Sequence, residues 1–319
     1  MGALMGVYLV DKPLGLTSFD VVSAARRAFS TRRVGHAGTL DPLATGLLVI
    51  ATDTSTRLVP YLTGHDKDYL ALISLGAATA TLDAEGPITS EAPVASSVVA
   101  RAPAALASLV GDQDQIPPQF SAIHVNGGRA YAAARAGSQV DLPARRVTVH
   151  SLTLLATLER APDIGALAHL PSLAAAWPAG AQGASRRDWP EPLGDYPTLV
   201  VQATVSAGTY VRAIARDLGE RLGVPAHLSG LVRTRVGGLE LQAATALEDL
   251  ASAAPVPETA ACGLPLLSVN AHTAKDLRDG KRLPGATLGL VAATLNGQLV
   301  AILEGDGVDL RVRRAWPSA

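Results

Sequence analysis

The chemistry available to this chain concentrates in GHAGTLDPLATG, residues 35–46, where one histidine, His36, and one carboxylate, Asp41, stand among glycines and a proline. Glycine tolerates left-handed backbone and lets a main chain approach a ligand closely, while proline biases the residue before it towards an extended conformation. Pro42 therefore presents the Asp41 carboxylate on a stiff loop. Such a carboxylate can serve as nucleophile or base. It can equally be a turn residue bonded to its own backbone, with His36 a polar loop residue. Two other segments add candidates. Lys67-Asp68-Tyr69 opens an apolar run, where a tyrosine fills core space more readily than it does chemistry. Gly208-Thr209-Tyr210-Val211-Arg212 sets an aromatic and an arginine at a turn into a helix. Arg212 lies one position from that helix's apolar stripe, and a buried guanidinium wants a carboxylate.

Periodicity supplies the elements that must position these groups. A short strand is expected over residues 6–11, then a helix over 18–29 capped by Thr17 or Ser18. Strands follow over 47–51 and 69–75, with a helix over 103–110 that admits Pro103 in its first turn. Segments 147–154 and 199–206 alternate apolar and polar residues, the second cleanly at Leu199, Val201, Ala203 and Val205, as strands with one buried face do. After Gly208 an apolar stripe of Val211, Ile214, Leu218 and Leu222 predicts a helix. Residues 163–197, rich in Trp, Pro and Gly, read as a surface insertion. A break at 251–261 precedes a small β-rich module over 263–319, with strands at 291–293, 299–303 and 310–312.

Composition narrows the function. The chain has 319 residues, 48% of them apolar, 17% charged and 4% aromatic, which describes a globular protein of about two domains. GxGxxG, GxxxxGK[ST], HExxH, CxxC and GxSxG are all missing, so nucleotide-cofactor and serine-hydrolase readings lose support. A single cysteine, Cys262, permits no intrachain disulfide and points to a reducing cytoplasm. The start has no basic signal region, and no apolar run nears the ~20 residues of a membrane span. A net charge of −1 creates no global field for nucleic acid. Arginine nevertheless gathers at 26, 27, 32 and 33, at 129, 135, 145 and 146, and at 212, 216, 221, 233 and 235. These forks suit either phosphates or solvated helix faces.

Five ordered segments together carry a resemblance: GVYLVDKPLGLTSFD, GHAGTLDPLATGLL, KDYLALISLGAATATLDAEG, QIPPQFSAIHVNGGRAYAAARAG and SAGTYVRAIARDLGERLGVPAHLSGLVRTRVGG. They resemble the TruB family, bacterial synthases that form pseudouridine from the uridine at position 55 in the T loop of tRNA. The likeness spans residues 6–240 apart from 163–197. It implies an α/β (α+β) fold: a mixed, largely antiparallel sheet with flanking helices and a central cleft. This catalytic domain occupies 1–250, and 263–319 weakly resembles a PUA-like RNA-binding domain.

The resemblance also assigns roles. Asp41 becomes the catalytic aspartate, Tyr69 the aromatic that stacks on the target base, and Tyr210, Arg212 and Leu231 pocket residues, with Arg212 pairing the carboxylate. His36 becomes the contact to RNA beside the extruded base. Two departures stand out: His124 where the family pattern has lysine, and Ala207 where lysine commonly precedes GTY. The implied reaction is an isomerisation with no cofactor, no nucleotide and no metal. The implied partner is the T-arm stem-loop of tRNA, with no membrane, and the enzyme is expected to be a monomer. Arg212 is expected to hold the Asp41 pKa low. Open alternatives are a synthase for another RNA and an RNA-binding or tRNA-folding protein with a vestigial pocket.

Overall fold

Strand β1 (Gly6–Lys12), helix α1 (Ser18–Ala28), β2 (Val34–Ala37) and β3 (Ala44–Thr52) open the chain. The computed structural model describes residues 5–120, 141–160 and 195–317, with the main chain of the strand pair His124–Val125 and Gly128–Arg129. Of the expected insertion, residues 163–194 lie outside the described residues, as does the side chain of His124. Helix α1 starts where sequence places it. The Thr17 hydroxyl accepts from the Asp20 amide at 3.1 Å and the Asp20 carboxylate accepts from the Thr17 amide at 2.8 Å, a reciprocal cap.

The sheet continues through β4 (Lys67–Leu75), β5 (Gly111–Gln115), β6 (Arg145–Leu158) and β7 (Thr198–Val205). Helix α2 (Val211–Leu222) then leads into β8 (Ala226–Val236). Spatially the order is β1-β3-β8-β4-β7-β6-β5, with only the β3–β8 step parallel along that path. The sheet is mixed and largely antiparallel, as expected. β3 shares one edge between two partners: β8 along 44–46 and β2 along 49–52. His36 consequently lies in a strand, paired with Ile50, rather than in a loop. In β7 the predicted buried face of Leu199, Val201, Ala203 and Val205 holds, and on the other face Gln202 is exposed; Val200 departs from the alternation because the second apolar layer covers it.

Two apolar layers cover the sheet. On one face α1 and α2 contribute Val21, Ala25, Ile214 and Leu218 to a cluster that includes Leu40, Tyr69 and Leu231. On the other face Leu47, Val49, Leu72 and Val232 meet Ala292, Leu299, Ile302 and Trp316. The latter come from a C-terminal five-stranded sheet whose strands Leu288–Leu295, Gln298–Asp306 and Asp309–Ala315 are longer than sequence suggested. Residues 251–261 are not a bare linker: the Val256 amide donates to the Val7 carbonyl at 2.7 Å, and Ala261 is buried in the second layer.

Candidate active site

Asp41 follows β2 on the loop into β3, and the loop is fastened at nearly every carbonyl. The Arg233 guanidinium, wholly buried, donates to the Gly38 carbonyl at 3.1 Å and the Leu47 carbonyl at 2.7 Å, and reaches Thr39 at 3.5 Å. The Ser18 hydroxyl donates to the Leu40 carbonyl at 3.1 Å and accepts from its amide at 2.8 Å. Asp41's own carbonyl accepts from the Ala44 amide at 3.0 Å, and that of Pro42 accepts from the Gly15 amide at 2.9 Å. Gly46, at φ +93°, is where this loop enters β3 against β8; a Cβ there would stand 2.4 Å from the Arg233 carbonyl oxygen. Only glycine fits that position.

Arg212 comes from the first turn of α2, and its side chain is 5% exposed. Its Nη2 donates to Asp41 Oδ1 at 3.1 Å, and its Nε makes a charge contact with Oδ2 at 2.9 Å that is not aligned as a hydrogen bond. The same guanidinium lies 3.3 Å from Asp83 Oδ2 and donates to the carbonyls of Thr81 and Phe120. A buried arginine is thus shared between two carboxylates, of which Asp83 is 2% exposed and Asp41 35%. Asp83 is locked inward; Asp41 is the more open of the two.

The electrostatic balance at Asp41 differs from the expectation. Burial pushes its carboxyl above the ordinary carboxylate range; Arg212 opposes this most strongly, and Asp83 adds to the rise. Desolvation outweighs the guanidinium because Arg212 divides its charge between two acids. Lys12, at the end of β1, also favours the Asp41 anion. Its ammonium is fully buried and donates to the carbonyls of Leu16 at 2.5 Å and Pro13 at 3.0 Å, and burial lowers its pKa to about 8. Lys67, beside Tyr69 in sequence, is likewise buried, bonds the carbonyls of Thr63 and His65, and is lowered to about 8 by burial and by Arg233.

The remaining candidates lie on the sheet and at the start of α2. Tyr69 and Leu231 are diagonal neighbours on one sheet face, since Leu231 stands opposite Ala71 in register. Both are 6% exposed and belong to the same apolar layer as Leu40 and Leu43. Tyr210 precedes α2, two residues before Arg212. His36 is half-buried, and burial together with Arg233 lowers its pKa. Among the described residues neither His36 nor Tyr69 makes a hydrogen bond or ion pair with Asp41, and no group of three or more His, Cys, Asp or Glu is placed to hold a metal ion.

Sequence reasoning missed Asp83, Lys12 and Arg233. Asp83 and Lys12 lay inside quoted motifs without a role. Arg233 belongs to an arginine group that suits either phosphates or solvated helix faces, and the structure separates its members. Arg212 and Arg233 are buried, Arg235 pairs with Asp68 at 2.6 Å, and Arg216 pairs with Asp217 at 2.7 Å, leaving Arg221 exposed. Adjacency in sequence could not distinguish strand residues turned inward from a surface.

Comparison with known proteins agrees with this architecture. Residues 26–167 match TruB family pseudouridylate synthase (N terminal domain), and residues 212–261 match tRNA pseudouridylate synthase B C-terminal domain. The tRNA pseudouridine synthase B of Deinococcus deserti is 51% identical, covering 98% of this chain and 100% of its own length. That of Thermus thermophilus is 49% identical, covering 98% and 99%. A chain in the solved structure of an H/ACA RNP bound to a substrate RNA containing 2′-deoxyuridine shares the fold, with a TM-score of 0.64 at 20% identity, covering 98% of this chain and 86% of that one. Fold and relatives define the class as a pseudouridylate synthase, an isomerase. Within that class the chain belongs to the TruB family.

Proposed function

We propose that this chain converts the uridine at position 55 in the T loop of tRNA into pseudouridine, with Asp41 as the catalytic carboxylate. The carrying observation is the Asp41–Arg212 pair: one partly open acid set against a buried guanidinium that keeps its other contacts. In the reaction the N1–C1′ bond breaks, the uracil turns, C5 bonds to C1′, the C5 proton leaves for solvent and N1 takes up one proton from solvent in its place. Atoms balance without a co-reactant. Asp41 supplies the anion that starts this, at the base, at C1′ or at C2′.

The uridine has to leave its stack to reach Asp41, at a cost of a few kcal/mol. Stacking on Tyr69 offsets about 1–3 kcal/mol of that. Leu231 and Tyr210 complete the apolar wall, and His36 meets the RNA where the base has left. The C-terminal sheet is read as the PUA-like module that extends the RNA contact, in a monomer acting in the cytoplasm. Recognition rests on loop shape and phosphate positions.

Tritium release from 5-tritiated uridine in a T-arm minihelix tests the reading. The wild type releases tritium; Asp41→Asn binds the same RNA and releases none. Turnover by Asp41→Asn removes the aspartate from the chemistry. Activity confined to unrelated hairpins transfers the enzyme to another RNA, and tRNA refolding without pseudouridine would make it a folding factor.

A further inference from the structure

Helix α2 carries Arg212 in its first turn, and the first amide groups at such an end need partners from outside the helix. The residue at the helix boundary is Tyr210, whose side chain does not cap the helix. The partner comes from the far edge of the sheet instead. Gln115, the last residue of β5, is 3% exposed. Its Oε1 accepts from the Tyr210 amide at 2.8 Å, and its Nε2 donates to the Tyr210 carbonyl at 3.2 Å. One side-chain amide thus supplies the partner of the Tyr210 amide and adds a donor to the Tyr210 carbonyl, which already accepts from the Ala213 and Ile214 amides.

Gln115 also begins a segment tied to the same helix at two further points. The Ile116 carbonyl accepts from Arg216 Nη1 at 3.1 Å, and the Phe120 carbonyl accepts from Arg212 Nη2 at 2.9 Å. Residues 115–120 and the first turns of α2 are therefore tied together by four hydrogen bonds. The guanidinium that touches Asp41 is thus also held by the segment that leaves β5, the strand at one edge of the sheet.

We propose that Gln115 is a positioning residue for the isomerisation: it sets the Tyr210 peptide, and through it the reach of Arg212 to Asp41. This rests on the function proposed above. Gln115 touches neither the substrate nor the reacting atoms. Its contribution is geometric, and a misplacement of about 1 Å in such a site costs about 100-fold in rate.

The test uses the full chain with Gln115→Met, which keeps length and burial but has neither donor nor acceptor of the amide kind, and Gln115→Glu, which keeps the acceptor only. Circular dichroism and thermal melting establish that both fold. With the T-arm minihelix, Gln115→Met is expected to lower kcat at least about tenfold while KM stays within about twofold, and Gln115→Glu to fall between it and wild type. The decisive reading is a double-mutant cycle with Arg212→Lys: if Gln115 acts through Arg212, its substitution costs little more once Arg212 is replaced. Wild-type kcat in folded Gln115→Met, or fully additive losses in the cycle, overturns the proposal. A wild type that makes no pseudouridine on any RNA overturns the proposed function itself, and this inference with it.

Discussion

Arg212 and Asp41 stand 171 positions apart in the chain, yet the guanidinium of one meets both carboxylate oxygens of the other, at 3.1 Å and 2.9 Å. The arginine reaches them from a helix and the aspartate from a loop clamped by Arg233 and Ser18. Neither side can shift without breaking buried hydrogen bonds, so the pair is set before substrate arrives.

Arg212→Lys keeps the charge but loses the planar fork that serves Asp41, Asp83, Thr81 and Phe120 together. Turnover should fall by about 100-fold or more with RNA affinity changed only a few-fold. Single-turnover kinetics with a T-arm minihelix checks this, and an unchanged rate would remove Arg212 from partnership with Asp41.

Asp83→Asn removes the inward carboxylate and leaves Arg212 wholly to Asp41. Because Arg212 keeps Asp41, no charge is left uncompensated, and the loss of one charged contact is expected to cost about 1–3 kcal/mol of stability. Urea unfolding measures that. Removing Asp83 also removes a charge that raises the Asp41 pKa, so the acid limb of activity should move to lower pH.

The pH profile itself is predictable in sign. Because burial raises the Asp41 carboxyl above its ordinary 3.8, the anion is lost on acidification earlier than for a free aspartate, and the acid limb of kcat/KM lies above that value. An acid limb at the ordinary aspartate position contradicts the assignment.

Lys12 behaves oppositely. Its folded pKa, about 8, lies below the ordinary 10.5, so between these values the unfolded chain binds more protons than the folded one. Its contribution to stability therefore rises with pH across that window. Urea unfolding of wild type and Lys12→Met at pH 8 and pH 10 should show the difference moving in favour of wild type at the higher pH; a constant difference refutes the lowered pKa.

Arg233→Met strips donors from the carbonyls of Gly38, Thr39 and Leu47 around a side chain that is wholly buried. About 3 kcal/mol of stability should be lost. Thermal melting checks the loss, and a melting temperature equal to wild type would show that the carbonyls find other partners.

Local signals were legible wherever they had local causes. The Thr17 cap, the apolar stripe of α2 with Val211, Ile214, Leu218 and Leu222, and the long buried run of β3 follow from short-range hydrogen bonding and side-chain periodicity. The boundaries were less so: β3 starts at Ala44, inside the loop motif, because pairing with β8 extends it. His36 fell in a strand for the same reason, a partner some 14 residues on in sequence, Ile50, that periodicity does not reveal.

The chain by its composition and ordered motifs determined that this is a globular member of one family, with an aspartate on a glycine-bracketed loop and an arginine opening a helix. Those are properties of neighbouring residues and of side-chain chemistry. Tertiary structure alone decided that Asp83 shares Arg212, that Arg233 is buried beneath the loop instead of facing phosphate, and that Gln115 holds the start of α2. Each depends on which strands lie side by side. That order is settled by the burial of two apolar faces across the whole sheet, a long-range balance that no stretch of neighbouring residues encodes.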